Sequence, residues 1–122
     1  MKHFKFLPAL LLLFAPVLAS AAVPQGEYVG LITGGGKQST TTFKTDDGKI
    51  TATYYMSEVK SGGTISKIKL DGQNLTGEWK DEFGKGYVLF IFNPDYSSFQ
   101  GCWSKKKIKD CEETSQSWNG NR

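Results

Sequence analysis

The sequence has little of what metal binding and nucleophilic catalysis ordinarily need. Its 122 residues include one histidine, His3, and two cysteines, Cys102 and Cys111. A zinc site takes more cysteine and histidine ligands than these, and a catalytic cysteine needs a histidine partner. The chain is also far shorter than the roughly 250 residues of a TIM barrel. We therefore expect a small domain with neither a metal nor a cofactor.

The N-terminus has the features of an export signal. Two lysines precede an apolar stretch from Leu7 to Leu18, and Ala19–Ala21 supplies the small residues that signal peptidase requires. The apolar stretch is shorter than the roughly 20 residues of a membrane-spanning helix, so we expect no transmembrane anchor. The sequence predicts a cleaved signal peptide at residues 1–21, a single domain at 22–122, and a periplasmic or extracellular location.

Loss of the signal would leave the chain nearly neutral. It removes Lys2 and Lys5 but no acidic residue, so 13 Lys+Arg face 12 Asp+Glu and the formal net charge falls from +3 to +1. Binding to nucleic acid by charge requires a large basic excess. We therefore expect no nucleic-acid partner.

Alternation of apolar and polar residues, punctuated by turn residues, predicts an all-β fold. No ten-residue run has the apolar spacing of a helix. The expected strands, in chain order, are Glu27–Ile32, Gln38–Lys44, Lys49–Tyr55, Thr64–Leu70, Asn74–Trp79, Gly86–Phe92, Ser97–Trp103 and Thr114–Trp118. About eight short antiparallel strands at this spacing are typical of an up-and-down barrel, with a β-sandwich as the alternative.

A short glycine motif recurs along the chain. Its instances, each with a glycine two residues from a bulky apolar residue, are Tyr28-x-Gly30-x-Ile32, Leu75-x-Gly77-x-Trp79, Phe99-x-Gly101-x-Trp103 and Trp118-x-Gly120-x-Arg122. Alternation places these residues on one face, where a glycine allows a strand to bend and a ring to lie on bare backbone. Ordinary strand glycines are the alternative interpretation.

The C-terminal half of the chain resembles small exported bacterial β domains that end in W-x-G-x-R. The resemblance rests on Gly77-x-Trp79, Gly101-x-Trp103 and Trp118-x-Gly120-x-Arg122. More distantly, the chain is similar to the calycin barrels, the lipocalins and avidins, in which a Gly-x-Trp strand and a late arginine pack together at the closed end. The resemblance implies a small calycin-like barrel.

Aromatic residues are the best candidates for a ligand site, because ligand pockets are commonly lined by rings. The candidate ligand-binding residues are Tyr54, Trp79, Trp103, Trp118 and Arg122. Burial in the core is the alternative for the tryptophans. Arg122 either stacks on Trp118 or Trp103 in a cation–π contact, or binds an anionic ligand.

The two cysteines frame a basic loop. In an oxidising compartment we expect Cys102 and Cys111 to form a disulfide, which contributes roughly 2–3 kcal/mol by the chain-entropy estimate. The loop carries four lysines, Lys105, Lys106, Lys107 and Lys109. It is either a solvated tip or a docking loop for an acidic partner.

These features favour a non-enzymatic binding or inhibitory module for a protein or a small amphipathic ligand, with the oligomeric state open. One alternative is a self-associating envelope or adhesive module, because Tyr87–Phe92 is apolar on both faces. A second is a small hydrolase that uses turn carboxylates, of which Asp81 and Glu82 are the best candidates.

Overall fold

A computed structural model describes residues 22–122, which form eight antiparallel strands closed into one barrel. The strands are β1 (Gly26–Ile32), β2 (Gly36–Asp46), β3 (Lys49–Met56), β4 (Ser61–Asp71), β5 (Asn74–Asp81), β6 (Gly84–Phe92), β7 (Ser98–Ser104) and β8 (Gly120–Asn121). The predicted all-β barrel is confirmed, and the β-sandwich alternative is wrong. The predicted signal peptide lies outside the described residues.

Each strand pairs with the next along the chain, and β1 pairs with β8. Antiparallel hairpins form at β2–β3, β4–β5 and β6–β7, where turn residues separate the strands expected from the sequence. Between Asp46 and Lys49, both Asp47 and Gly48 have positive φ, at 54° and 80°. Such two-residue turns match the twist of paired strands, which explains why the sequence signal is reliable here.

The last strand is later and shorter than predicted. We expected a strand at Thr114–Trp118, but its only pairing consists of two isolated bridges, and the regular ladder is Gly120–Asn121. Asn119 explains the difference. Its backbone N–H donates to the Leu31 carbonyl (2.9 Å), while its side-chain oxygen accepts the Leu31 N–H (3.1 Å). A side chain thus takes the place of a backbone acceptor, and the ladder is interrupted.

The barrel interior is an aromatic core. Alternation sends every second residue inward, so Val88, Phe90 and Phe92 of β6 are buried. Tyr28 and Phe43 meet edge to face with ring centroids 5.5 Å apart, a favoured geometry for aromatic pairs. The buried aromatic residues are Tyr28, Phe43, Tyr54, Trp79, Phe90, Phe92, Tyr96, Phe99 and Trp118.

Two of the motif glycines lie against rings, as predicted. A Cβ on Gly101 would fall 2.8 Å from the Phe90 ring, and one on Gly120 would fall 2.9 Å from the Phe99 ring. Gly30 and Gly77 instead face Asn119 and Ile65, respectively. The motif therefore marks close packing at all four positions, but ring-on-backbone contacts at two of them.

Candidate functional site

One end of the barrel opens into a cavity of about 220 Å³. Four of the five predicted ligand-binding residues line it: Tyr54, Trp79, Trp103 and Trp118. Its other lining residues are Ile32, Thr33, Gly34, Met56, Val59, Asp81, Phe83 and Lys105. We call this opening the aromatic mouth. The four predicted rings come from β3, β5, β7 and the segment before β8, so only the closed barrel brings them together.

Tyr54 and Trp118 form one wall of the aromatic mouth. Their ring centroids lie 4.8 Å apart at an interplanar angle of 76°. The Trp118 indole N–H donates to the buried Thr41 hydroxyl (2.8 Å). The Tyr54 ring lies on Gly63, where a Cβ would fall 2.3 Å from the phenol. A hydrogen bond and a missing side chain therefore fix both rings.

Trp79 and Trp103 form the opposite pair, with centroids 5.4 Å apart and an interplanar angle of 85°. The Trp79 indole N–H donates to the Ser104 carbonyl (3.3 Å). That indole lies on Gly86, where a Cβ would fall 2.6 Å from its nitrogen. The half-buried Trp103 has a buried indole nitrogen without a hydrogen-bond partner. Gly63 and Gly86 both lie outside the recurring motif, so no sequence pattern indicated these two contacts.

The β5–β6 turn brings a carboxylate to the aromatic mouth. The Tyr54 hydroxyl donates to Asp81 Oδ2 (2.6 Å), and the Phe83 backbone N–H donates to Asp81 Oδ1 (2.8 Å). Burial, followed by the hydrogen bond to Asp81, raises the pKa of the Tyr54 phenol far above its ordinary range. Tyr54 therefore stays protonated and remains a donor to Asp81.

The neighbouring carboxylates Asp81 and Glu82 both accept hydrogen bonds from other residues of the chain. Asp81 accepts the hydrogen bonds just described, and Glu82 Oε2 accepts one from the Ser61 hydroxyl (2.5 Å). A glycosidase uses two carboxyl groups that face each other across a cleft, about 5 to 9.5 Å apart. Asp81 and Glu82 are instead adjacent residues whose carboxylates are held by hydrogen bonds within the chain.

The rim of the aromatic mouth combines exposed apolar side chains with a lysine. Phe83 at the β5–β6 turn is 56% exposed, and Val59 between β3 and β4 is 40% exposed. Lys105, just after β7, is exposed and lines the cavity. An apolar rim beside a cation suits a molecule with both apolar and anionic parts.

The predicted disulfide between Cys102 and Cys111 is present, with the Cα atoms 5.6 Å apart. All four lysines of the loop that it closes are exposed, but only Lys105 reaches the aromatic mouth. The loop runs into a 3₁₀ turn at Cys111–Glu113, which Asp110 caps by accepting the Glu112 N–H (3.0 Å). Three exposed acidic residues therefore follow the lysines and reduce the basic character of the loop: Asp110, Glu112 and Glu113.

Arg122 does not join the other candidates. It lies at the opposite end of the barrel, where its guanidinium donates to the carbonyls of Gln25 (2.5 Å) and Asp95 (3.3 Å). Its Cζ lies 5.4 Å from the Tyr28 ring centroid. The expected stacking on Trp118 or Trp103 is wrong. The chain runs through β8 away from the aromatic mouth, so Arg122 reaches the far end of the barrel and lies over Tyr28. Arg122 joins the C-terminus to the segment before β1.

The outer face of β6 exposes less apolar surface than its sequence predicts. Leu89 is half-buried, and the sulfur of Cys111 lies 3.9 Å from its carbonyl oxygen. Tyr87 is also half-buried, whereas Ile91 is 51% exposed. The disulfide segment therefore covers part of the face on which the self-association hypothesis rests.

A second, larger opening of about 890 Å³ lies at the far end, between β3 and β4. The β3–β4 ladder extends only from Ala52↔Ile65 to Met56↔Ser61, so the outer parts of the two strands diverge. Ile50, Ile68 and Leu70 line the gap. Sequence alternation did not reveal this opening, which lies beside an irregularity in β4 at Lys67, where φ is 53°.

Within residues 22–122, no three His, Cys, Asp or Glu residues cluster closely enough to hold a metal ion. The described part of the chain contains no helix of the length and apolarity needed to span a membrane. Comparison with known protein families, curated proteins and solved structures gives no match. The resemblance to calycins and to W-x-G-x-R domains stays a prediction.

Proposed function

We propose that this protein is an exported, non-enzymatic binding module. Its aromatic mouth takes the apolar part of a small amphipathic ligand, and Lys105 meets the anionic part. The observation that carries this proposal is the convergence of four rings, distant in sequence, around one open cavity with a lysine on its rim. Concave, mostly apolar sites with a few polar groups are the usual form of ligand pockets.

The size of the cavity supports a small ligand. At about 220 Å³ it is below the roughly 300–1,000 Å³ of pockets for drug-sized molecules. The rings are held by packing and hydrogen bonds, so binding orders few side chains and the entropic cost is low. A molecule with a compact apolar group, or one end of a longer molecule, suits this opening.

Two features support export. The Cys102–Cys111 disulfide is of the kind that persists in oxidising compartments. The N-terminal sequence has the basic, apolar and small-residue segments of a signal peptide. Mass spectrometry of the protein recovered from periplasm or medium, showing a chain that starts at Ala22 or Val23, tests this part of the proposal.

Titration with 4-phenylbutyrate, a small amphipathic anion, tests the proposed site through tryptophan fluorescence. We expect saturable binding that weakens about three- to tenfold in Lys105→Gln, the magnitude of a partly exposed charge contact. Lys109→Gln is the matched control, because Lys109 lies on the same loop away from the cavity, and its affinity should equal that of the wild type. Absence of saturable binding would contradict the proposal.

A protein partner is the second candidate, favoured by the exposed Phe83 and Val59 on the rim. An acidic partner could place one apolar side chain in the aromatic mouth while its carboxylates face the lysine loop. Phe83→Ser should then abolish capture of such a partner, whereas Ile91→Ser, at an exposed apolar residue outside the cavity lining, should leave capture unchanged. Equal capture by the wild type and Phe83→Ser would contradict this candidate.

A further inference from the structure

The rings of the aromatic mouth offer π surface rather than hydrogen-bond donors. The indole N–H groups of Trp79 and Trp118 already donate to Ser104 and Thr41. The Tyr54 hydroxyl donates to Asp81, and the Trp103 indole nitrogen is buried. A ligand group that enters therefore finds few hydrogen-bonding partners among the rings that line the cavity.

One charged side chain reaches this ring-lined space from the β5–β6 turn. Asp81 lines the cavity, and each of its oxygens accepts one hydrogen bond. A carboxylate has lone pairs for about four hydrogen bonds, so the two that Asp81 accepts leave part of its acceptor capacity unused. The site thus combines perpendicular aromatic walls with a negative group.

We propose that the aromatic mouth binds a quaternary ammonium group, with Asp81 opposite the cation and Lys105 paired with an anionic arm of the same molecule. This inference rests on the proposed function, because it names the ligand class of that site. Cations are attracted to the faces of tryptophan and tyrosine rings, and cages of such rings recognise methylated ammonium groups. The ligand class is a small zwitterion that carries a trimethylammonium group and a carboxylate or phosphate.

Ammonium and guanidinium groups that carry N–H donors fit this cavity less well. They lose hydrogen bonds to water on entry, and Asp81 is the one carboxylate lining the cavity to replace them. A trimethylammonium group has no N–H donor, so it loses no such bonds. Its apolar methyl surface contacts the rings while its charge is stabilised by them.

Glycine betaine and 3,3-dimethylbutyrate are the probes that test the inference. They have the same shape and the same carboxylate, and differ in a positive nitrogen against a neutral carbon. We expect glycine betaine to bind about tenfold more tightly, measured by calorimetry and tryptophan fluorescence. Equal affinities, or tighter binding of 3,3-dimethylbutyrate, would overturn the inference and leave the proposed function standing. Binding of neither probe, nor of 4-phenylbutyrate, would overturn both.

Asp81→Asn should bring the two affinities together, whereas Glu82→Gln, in the same turn but outside the cavity lining, should keep the tenfold preference. Trp103→Leu, which retains apolar volume without a π system, provides a second test should Asp81→Asn fail to fold. It should also reduce the preference for glycine betaine to less than threefold. A preference that persists in both Asp81→Asn and Trp103→Leu would overturn the inference.

Discussion

Two glycine residues allow the wall residues of the aromatic mouth to pack directly against backbone. Gly63 and Gly86 lie directly beneath Tyr54 and Trp79, and neither position has room for a Cβ. Such contacts allow large rings to pack against backbone within a narrow barrel. The geometry of the mouth therefore depends on residues that have no side chain to offer a ligand.

Gly86→Ala should destabilise the protein by about 1–3 kcal/mol, the range for overpacking a tight interior. A Cβ there would lie 2.2 Å from the Ser104 carbonyl oxygen and 2.6 Å from the Trp79 indole nitrogen. Urea unfolding should give a lower midpoint, and the tryptophan emission should shift. The comparison variant is Gly48→Ala, in a turn with open space and φ of 80°. It should lose about 1 kcal/mol with unchanged emission. An emission shift in both variants, or in neither, would count against the role of Gly86.

Tyr54 makes stability sensitive to alkaline pH. Burial and the hydrogen bond to Asp81 raise its pKa in the folded protein, whereas unfolding returns the phenol to its ordinary value of 10.0. Above that pH the unfolded state binds fewer protons than the folded state, so stability decreases as pH rises. Tyr54→Phe should show a shallower decrease in urea midpoint between pH 9 and 11. Parallel profiles for wild type and variant would contradict this assignment.

Alternation decides where three of the candidate ligand-binding residues lie. Tyr54, Trp79 and Trp103 lie on the inward side of their strands, and the closed barrel brings them together at the aromatic mouth. Their role in ligand binding stays a prediction. The prediction for Arg122 was wrong because alternation along a strand determines which face a residue lies on, but not the end of the barrel at which it lies. The contacts of Gly63 and Gly86 depend on strands that pair only in the tertiary fold.

Among the structural elements, the Cys102–Cys111 disulfide ties the end of the lysine loop to strand β7 of the barrel. The disulfide closes a loop with a sequence separation of 9. Replacing both cysteines with serine should lower the free energy of unfolding by about 2–3 kcal/mol, because the unfolded chain gains conformational freedom. Thermal unfolding with and without reductant measures the same effect in the wild type. An unchanged melting temperature on full reduction would show that the disulfide does not stabilise the domain.

The two ends of the barrel should respond to different substitutions. Arg122→Gln removes the contact with Tyr28 at the end opposite the aromatic mouth, so stability should decrease by about 0.5–1 kcal/mol while the affinity for 4-phenylbutyrate stays constant. Lys105→Gln should show the reverse, with weaker binding and unchanged stability. Urea midpoints and fluorescence titrations of both variants provide the comparison. Weaker binding in Arg122→Gln would place this residue in the site after all.

Strand positions were predictable where two-residue turns separate regular ladders. The β2–β3 turn at Asp47-Gly48 and the strands beside it followed from turn chemistry and alternation. The prediction failed at β8, because Asn119 bonds to β1 through its side chain and interrupts the ladder. The opening between β3 and β4 was missed because alternation within each strand does not show where the ladder between two strands ends, here at Ala52↔Ile65.

At the scale of the whole molecule, the barrel has two unlike ends. Arg122 and the segment before β1 lie together at one end, and the aromatic mouth opens at the other. The core between them is filled by rings, which hold the walls of the mouth in fixed positions. The closed architecture was predictable from strand number and spacing, whereas the location of the aromatic mouth required the structure.

A ¹H–¹⁵N NMR titration of the protein with 4-phenylbutyrate shows where on the barrel the ligand binds. We expect saturable shifts at the indole signals of Trp79 and Trp103 and at the backbone signals of Gly34 and Phe83, with the Arg122 end unchanged. Shifts concentrated at the β3–β4 opening, or no shifts at millimolar probe, would contradict the claim that the aromatic mouth is the binding site.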